Sequence, residues 1–500
     1  MHLSYKSAKM YKEAKNSVPF LTNFTNNIHI AISKKKLTIL IGCLIIVLSF
    51  CCIISIIGAF VALNRNKAQT NLGAKNVKYE MPSVEDLVEY NGDPQILVPG
   101  NHVMILTKPN TSKNDIQKLA KDLSGEIVGE FVYIDMYQIN TKSTTFEQLQ
   151  QDIEKAEKYD FVEMAGAHTS TTNKEIKGTE CRILEDLYEN EANSTAYEMI
   201  QLERAWQYIN GSGIELKKVK VEVTDTGLHK DSSDGSKGTK ITTLGDDDVQ
   251  DGNDNHNSHG TMVSNVIGAS WKTGGMRGVA GGLDENLEVV VSSLTKGSSY
   301  PVVPPEDYDP NNPAHFIYEN QTYLSRNVHE IIKQIENGAE IINYSWGSTK
   351  PGSQNEFANR VFRRFLENVA RDNPKVVFVA AAGNEKYVQV EDPNTGRKQW
   401  VLGEELNGNN YDLGGTPAPN LITVASVDGK GNSSSFSNTV TGDGEITIAA
   451  QGTKVPVGFN PDGTIKTANG TSLSTPQVSG AVAILKSINP ELTAVQIKKF

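Results

Sequence analysis

Three hydrophobic rhythms divide this chain. From Leu37 to Leu63 a run rich in Ile, Leu, Val and Phe contains no charged residue. It is long enough to cross a bilayer as a tilted helix. From His102 the apolar residues recur in short alternating blocks. His102–Lys108 predicts a strand, and Ser112–Leu123 a helix through Ile116, Leu119 and Leu123. Two strands follow at Glu126–Asp135 and Met136–Asn140, then a helix at Phe146–Tyr159 and a short strand at Asp160–Ala165. The order βαββαβ is that of a ferredoxin-like split unit, common and by itself silent about function.

The third rhythm begins at Val219. Strands are predicted at Val219–Thr224, Leu287–Leu294, Ile341–Tyr344, Val376–Ala381, Leu421–Ser426 and Ile446–Ala449. Helices are expected from His259, at Asn327–Glu336 and at Phe357–Arg371. A last helix carries Val478, Ala481, Val482 and Leu485 at helical spacing. Short apolar strands alternating with helices predict a parallel sheet covered on both faces, with ligand sites at the carboxyl ends of its strands. The polar stretches 64–99 and 169–195 read as linkers, the second exposed and open to proteolysis.

Charge gives the apolar run an orientation. Seven lysines lie in the first 36 residues, which favours an N-terminus on the cytoplasmic side and the bulk of the chain outside. The run is too long and too far from the N-terminus for a cleaved signal peptide, so a signal anchor is expected. Over the 500 residues the net charge is −11, which argues against a nucleic-acid partner. Of four cysteines, Cys43, Cys51 and Cys52 lie in the apolar run, leaving Cys181 alone in the rest. The large polar part therefore has no intrachain disulfide available and must be stabilised by its core or by bound ions.

Three stretches carry candidate chemistry. Asp225 stands at a strand's carboxyl end in Val223-Thr224-Asp225-Thr226-Gly227. His259 opens a helix of small residues in Ser258-His259-Gly260-Thr261. Ser472, in Asn469-Gly470-Thr471-Ser472-Leu473-Ser474-Thr475-Pro476, sits where a loop becomes a buried helix. Each alone has a plain structural reading: a turn aspartate, a helix start and an N-cap serine. Together they supply what nucleophilic acyl transfer needs: a hydroxyl, a base to activate it and a carboxylate to hold the base's tautomer. A fourth stretch, Ala380-Ala381-Ala382-Gly383-Asn384, follows a strand and offers an amide able to donate to a developing oxyanion. His256 could pair with His259 on a metal, but no third ligand stands out. Gly470-Thr471-Ser472-Leu473-Ser474 lacks the second glycine of the G-x-S-x-G elbow, which argues against an α/β-hydrolase esterase.

These four motifs, in the order Asp, His, Asn, Ser, resemble those of the subtilases from about residue 196 to 500. The resemblance implies an α/β subtilisin-like catalytic domain. Ser472 would be its nucleophile, His259 its general base and acid, Asp225 the orienting carboxylate and Asn384 an oxyanion donor. Ser345, Trp346 and Gly347, with Ala382 and Gly383, would border the bound peptide. No cofactor is needed for such chemistry. A structural calcium ion at the acidic loop Asp246, Asp247, Asp248, Asp251 and Asp254 stands beside the reading of a solvated loop. The resemblance makes residues 100–168 an inhibitory propeptide-like partner, cut away between about His168 and Ala196. Protein or peptide would be the substrate, with a catalytically silent binding module as the alternative. Inserts at Gly297–Arg326 and Glu385–Gly415 are expected near the substrate cleft, and Leu492–Phe500 ends where relatives usually continue, as in a fragment.

Overall fold

The two predicted α/β regions form one compact unit in the computed structural model, which describes residues 72–172, 196–229, 240–245, 249–250, 259–271, 277–294, 321–346, 354–384, 386–391, 398–402, 417–440, 445–459 and 465–500. The expected membrane anchor, all four cysteines, His256, Gly347 and the aspartates of the acidic loop lie outside these residues. Among the described residues no helix is long and apolar enough to cross a membrane.

The first region is built as its pattern predicts. Strand β1 (His102–Thr107), helix α1 (Lys113–Asp122), β2 (Glu126–Phe131), β3 (Met136–Asn140), α2 (Phe146–Ala156) and β4 (Val162–Ala167) follow in order. The helix starts are written locally: the side chain of Ser112 caps α1 by accepting from the Asp115 N–H, and Thr145 caps α2 by accepting from Gln148. The strands pair antiparallel in the order β2-β3-β1-β4. Both faces of this sheet are buried. Val103 and Ile105 pack with Leu119, Leu149 and Ile139 under α1 and α2. Met104 and Leu106 point the other way and join a second cluster with Phe131 and Met136. The period of two in a β-strand puts these two sets on opposite faces.

A short strand β5 (Ser170–Thr172) leads out of this block, and α3 (Leu202–Ser212) packs Trp206 and Ile209 into the main core. The second region follows: β6 (Val219–Asp225), β7 (Lys240–Thr243), α4 (His259–Gly268), β8 (Leu287–Ser293), β9 (Gln321–Tyr323), α5 (Leu324–Glu336) and β10 (Ile341–Tyr344). Then come α6 (Gln354–Asp372), β11 (Val377–Ala381), β12 (Leu421–Val427), β13 (Ile448–Gln451), a hairpin of β14 (Val455–Phe459) and β15 (Ile465–Ala468), and α7 (Thr471–Ile488). Seven strands form one parallel sheet in the order β7-β8-β6-β10-β11-β12-β13. After β8 the chain crosses from one side of β6 to the other, so β6 and β10 border the switch point where doubly wound sheets place ligands.

One sheet face carries α4 and α7, with Val221, Val223, Val289, Val377 and Val424 beneath them. The other carries α5 and α6, over Ile342, Tyr344 and Phe378. The far side of α5 and α6 receives Met104, Leu106, Phe131 and Met136 of the small sheet, so one apolar cluster runs from sheet to sheet. Arg364 of α6 donates to the carbonyls of Thr107 and Ile134 and pairs with Glu163 of β4, as does Arg360. Strand β5 pairs antiparallel with β9.

Four stretches differ from the sequence expectation. Residues 64–99 read as irregular linker, yet from Leu72 they are ordered, with a hairpin of Leu87–Tyr90 and Asp93–Pro99. Leu72 and Ala74 are buried, and the N–H groups of Gly73 and Ala74 donate to Glu336 of α5 at 2.8 and 3.1 Å. That order comes from a distant helix, which local pattern does not report. The end of the expected 297–326 loop is strand β9 and the first turn of α5, because β5 supplies its pairing partner. Strands β7 and β15 are short with a mixed pattern, while β14 does alternate, with Val455, Val457 and Phe459 set against Pro456 and Gly458, two residue types that ordinarily argue against a strand interior.

Candidate active site

Asp225 is the last residue of β6 and is fully buried. Its Oδ1 accepts from the Thr226 N–H at 2.8 Å and lies 2.8 Å from Nδ1 of His259. A carboxylate only accepts, so Nδ1 carries the proton, and the acceptor lone pair of the neutral ring is on Nε2. The approach of α4 depends on Gly260: a Cβ there would run into the Gly227 carbonyl and lie 3.2 Å from Cβ of Asp225. The Gly260 N–H donates to Thr226 Oγ1 at 2.9 Å, tying the first turn of α4 to the turn after β6.

Ser472 lies in the first turn of α7, but it is not the cap. The N-cap position falls to Gly470, in a backbone conformation (φ 149°) that disfavours any side chain. The serine is brought to the same sheet end as Asp225 by β10. Tyr344 pairs in register with Thr224, and the next residue, Ser345, donates from Oγ to the Ser472 carbonyl at 2.9 Å. Helices α4 and α7 pack directly on each other.

Asn384 follows β11, the neighbour of β10. Its Oδ1 accepts from the N–H and the hydroxyl of Thr471 at 2.8 and 2.9 Å, and Thr471 Oγ1 accepts from the Gly383 N–H at 3.1 Å. The amide nitrogen is thereby turned the other way. Asn384 Nδ2 and Ser472 Oγ border one small space: a Cβ on Gly470 would lie 3.5 and 2.9 Å from them. A donor amide and a hydroxyl at the positive end of a buried helix form a setting for negative charge developing on a substrate oxygen.

Residues 216–500 match the model of the subtilase family of peptidases, more than half of the chain. The chain belongs to the subtilase family. It is 26% identical over 290 residues to subtilisin Savinase of Lederbergia lenta, covering 58% of this chain and 82% of the relative. To the thermostable alkaline protease of Halalkalibacterium halodurans it is 27% identical over 349 residues, covering 68% and 78%. Among solved structures, fervidolysin from Fervidobacterium pennivorans superposes with a TM-score of 0.51 at 18% identity, covering 84% of this chain and 60% of that one. The subtilase match makes this a chain of the subtilisin-like serine protease family, on a fold whose parallel seven-stranded sheet is described above.

In this subtilase the residues expected beside the substrate divide. Trp346 is 3% exposed, and its ring belongs to the apolar cluster of α5 and α6. The Ser345 hydroxyl is committed to the Ser472 carbonyl. These two can therefore offer a peptide their main chain rather than their side chains. Ala382 is buried against Ala425, Val440 and Ile446, and Gly383 (φ 97°) turns the chain towards Asn384. Sequence reasoning missed the supports: Thr226 under Asp225 and Thr471 behind Asn384. Thr226 is the neighbour of the residue it holds, and that adjacency was the available signal; Thr471 lies 87 residues from Asn384, and no local signal links the two. Among the described residues no three His, Cys, Asp or Glu side chains come together as a metal site.

Proposed function

We propose that the chain is a serine endopeptidase anchored by residues 37–63, with its catalytic domain on the outer side of the membrane. Ser472 attacks the peptide carbonyl, and His259 takes its proton and returns it to the leaving amine. Asp225 holds the ring, and Asn384 with the Ser472 N–H receives the oxyanion. The acyl-enzyme is then hydrolysed by the same groups in reverse roles. The observation that carries this reading is the 2.8 Å contact between buried Asp225 and His259 at the end of β6, on the sheet end where Ser345 holds Ser472. A fluorophosphonate probe is expected to label the processed wild type and not Ser472→Ala; a correctly folded wild type that fails to label means a silent binding module.

The small βαββαβ block is proposed to be this protease's own inhibitory prodomain. Its sheet lies on α5 and α6, and its exit strand β5 is paired with β9 just before residue 173. That path supports self-cleavage in the 168–196 stretch, which would part the catalytic domain from its anchor. N-terminal sequencing of mature enzyme is expected to begin within that stretch; a start before residue 160 rules the placement out. Calcium at the acidic loop remains a proposal for a chelator experiment, in which EDTA lowers the thermal midpoint if an ion is bound.

A further inference from the structure

Pro476 stands four residues after Ser472 inside α7. A proline has no N–H, so the Ser472 carbonyl is denied the i+4 donor that closes a helical turn. An unpaired buried carbonyl is costly, and here it belongs to the residue that must be held most firmly. The missing donor comes from outside the helix. The Ser345 hydroxyl, just past β10, supplies it at 2.9 Å. Ser345 in turn accepts from Nδ2 of Asn343 at 2.9 Å, and Oδ1 of Asn343 accepts from the hydroxyl of Ser479 at 2.8 Å. Asn343 and Ser479 are fully buried, with Ser345 and Ser472 5% and 7% exposed.

The direction of this chain is set by its members. An amide has a donating end and an accepting end. Because Ser479 donates to Oδ1, the NH₂ end faces Ser345 and occupies the oxygen of that hydroxyl. The one proton of Ser345 is then left for the Ser472 carbonyl. We propose that Ser479, Asn343 and Ser345 act as a relay of positioning residues for Ser472, replacing the backbone bond that Pro476 removes and fixing the nucleophile's peptide against the end of β10. None of the three touches substrate through this relay. The inference rests on the reading of Ser472 as nucleophile.

The test uses the full chain and a fluorophosphonate probe, separating the limiting rate of covalent labelling from probe affinity. Wild type that labels, with Ser472→Ala that does not, upholds the nucleophile reading; failure there removes that reading and the relay with it. Given labelling, Ser345→Ala is expected to lower the limiting rate about 10- to 100-fold, with affinity within about twofold. Asn343→Asp is nearly isosteric but, once ionised, only accepts, so it turns the Ser345 proton away from Ser472. Its labelling rate is expected to fall further as pH rises and its carboxyl ionises, relative to the wild-type profile, a signature that mere loss of packing does not produce. Ser479→Ala removes only the outermost link and is expected to cost about threefold or less. Folded Ser345→Ala and Asn343→Asp variants that label at the wild-type rate, or Asn343→Asp with the wild-type pH profile, overturn the relay. Should Ser345→Ala not fold, the Asn343→Asp profile decides alone.

Discussion

The two faces of the seven-stranded sheet are covered by helices of opposite character. On the site face, α4 and α7 are rich in Gly, Ser, Thr and Ala and are buried almost all round. Their positions are held by directional bonds: Ser474 to the Ala450 carbonyl at 3.0 Å, Gln477 to the Gln451 carbonyl at 2.6 Å, and Asn265 to the Val457 carbonyl at 3.1 Å. On the other face, α5 and α6 are more strongly amphipathic and carry Val328, Ile331, Phe362, Phe365 and Leu366 between two sheets, although α5 is also largely buried and tied to the sheet by Arg326 to the Ser293 carbonyl at 3.0 Å and by the Thr224 hydroxyl to Gln334 at 2.7 Å. Hydrophobic burial is non-directional, so that face supplies area and tolerates small shifts. Hydrogen bonds fix distance and angle, so the site face supplies position. The small block docks on the face built for area, while His259 and Ser472 stand on the helices of the face built for position.

Five changes test this division, from the largest effect down. Asp225→Asn leaves size unchanged but replaces a carboxylate, which only accepts, by an amide that can also donate, so the proton on His259 Nδ1 is no longer fixed there. It is expected to lower the rate of phosphonate labelling about 10⁴-fold with little change in thermal midpoint. Phe365→Ala strikes the other face, where the ring lies edge-on to Phe378 of β11 and Tyr133 of the small block, at 6.2 and 5.9 Å. It is expected to cost about 3–5 kcal/mol by urea unfolding, with labelling per folded molecule preserved. Gly260→Ala pushes α4 from the Gly227 carbonyl; a loss of about 1–3 kcal/mol should come with slower labelling, because the Asp225–His259 contact moves. If Phe365→Ala slows labelling as much as Gly260→Ala does, the division of labour fails.

The fourth change is acid. His102 of β1 and His168 after β4 face each other, Nδ1 to Nδ1 at 3.2 Å, where the small block meets α5. Gln138 Nε2 approaches His102 Nδ1 at 3.1 Å and also donates to the Glu80 carbonyl, while Ser325 lies 2.9 Å from His168 Nε2 and Tyr323 lies beside the His168 ring. Both rings fit as neutral tautomers: His102 Nδ1 accepts from Gln138 and His168, and His168 Nε2 accepts from Ser325. Burial holds the pKa of His168 well below 6.5, and the neighbouring His102 adds to this. Burial also lowers that of His102, against the opposing pull of Glu80 and Asp86. Lowered histidine pKa values mean that the separated or unfolded state binds more protons in acid. The contact therefore contributes fully above about pH 6.5 and loses strength as pH falls below it. Protection factors at β1 and β4, with the intrinsic slowing of amide exchange in acid divided out, are expected to fall between pH 7 and 5, less so in His168→Phe; equal acid response in both removes the histidines as the cause. The smallest effect is Glu163→Gln, which weakens a partly exposed ion pair with Arg360 and Arg364 and should cost the interface about 1 kcal/mol or less, more at low salt than at high.

Much of this was readable in the chain. The βαββαβ order was legible because its caps and periodicities are local: Ser112 and Thr145 sit one residue before their helices, and Val103 and Ile105 alternate with Met104 and Leu106. The strands of the large sheet were legible as short apolar runs, and Asp225, His259, Asn384 and Ser472 were nominated by their motifs. What escaped were features whose cause lies far away in sequence. Residues 72–99 look like linker until Glu336 receives their N–H groups. Gln321–Tyr323 looks like loop until β5 pairs with it. The burial of the Trp346 side chain in the apolar cluster of α5 and α6 is likewise invisible in its local sequence.

Sequence alone determined the inventory: a hydroxyl, an imidazole, a carboxylate and an amide, each at an element end, on a chain whose rhythm demands a two-faced parallel sheet. That follows because propensity, capping and periodicity act over a few residues, within reach of a local reading. Only the tertiary structure decided what those groups do for one another. It placed His259 against Asp225, gave the cap position to Gly470 rather than Ser472, and answered the gap left by Pro476 with a hydroxyl from 127 residues away. Such pairings join elements brought side by side by sheet order and core packing, and hydrogen bonds of that length depend on positions that no local pattern encodes.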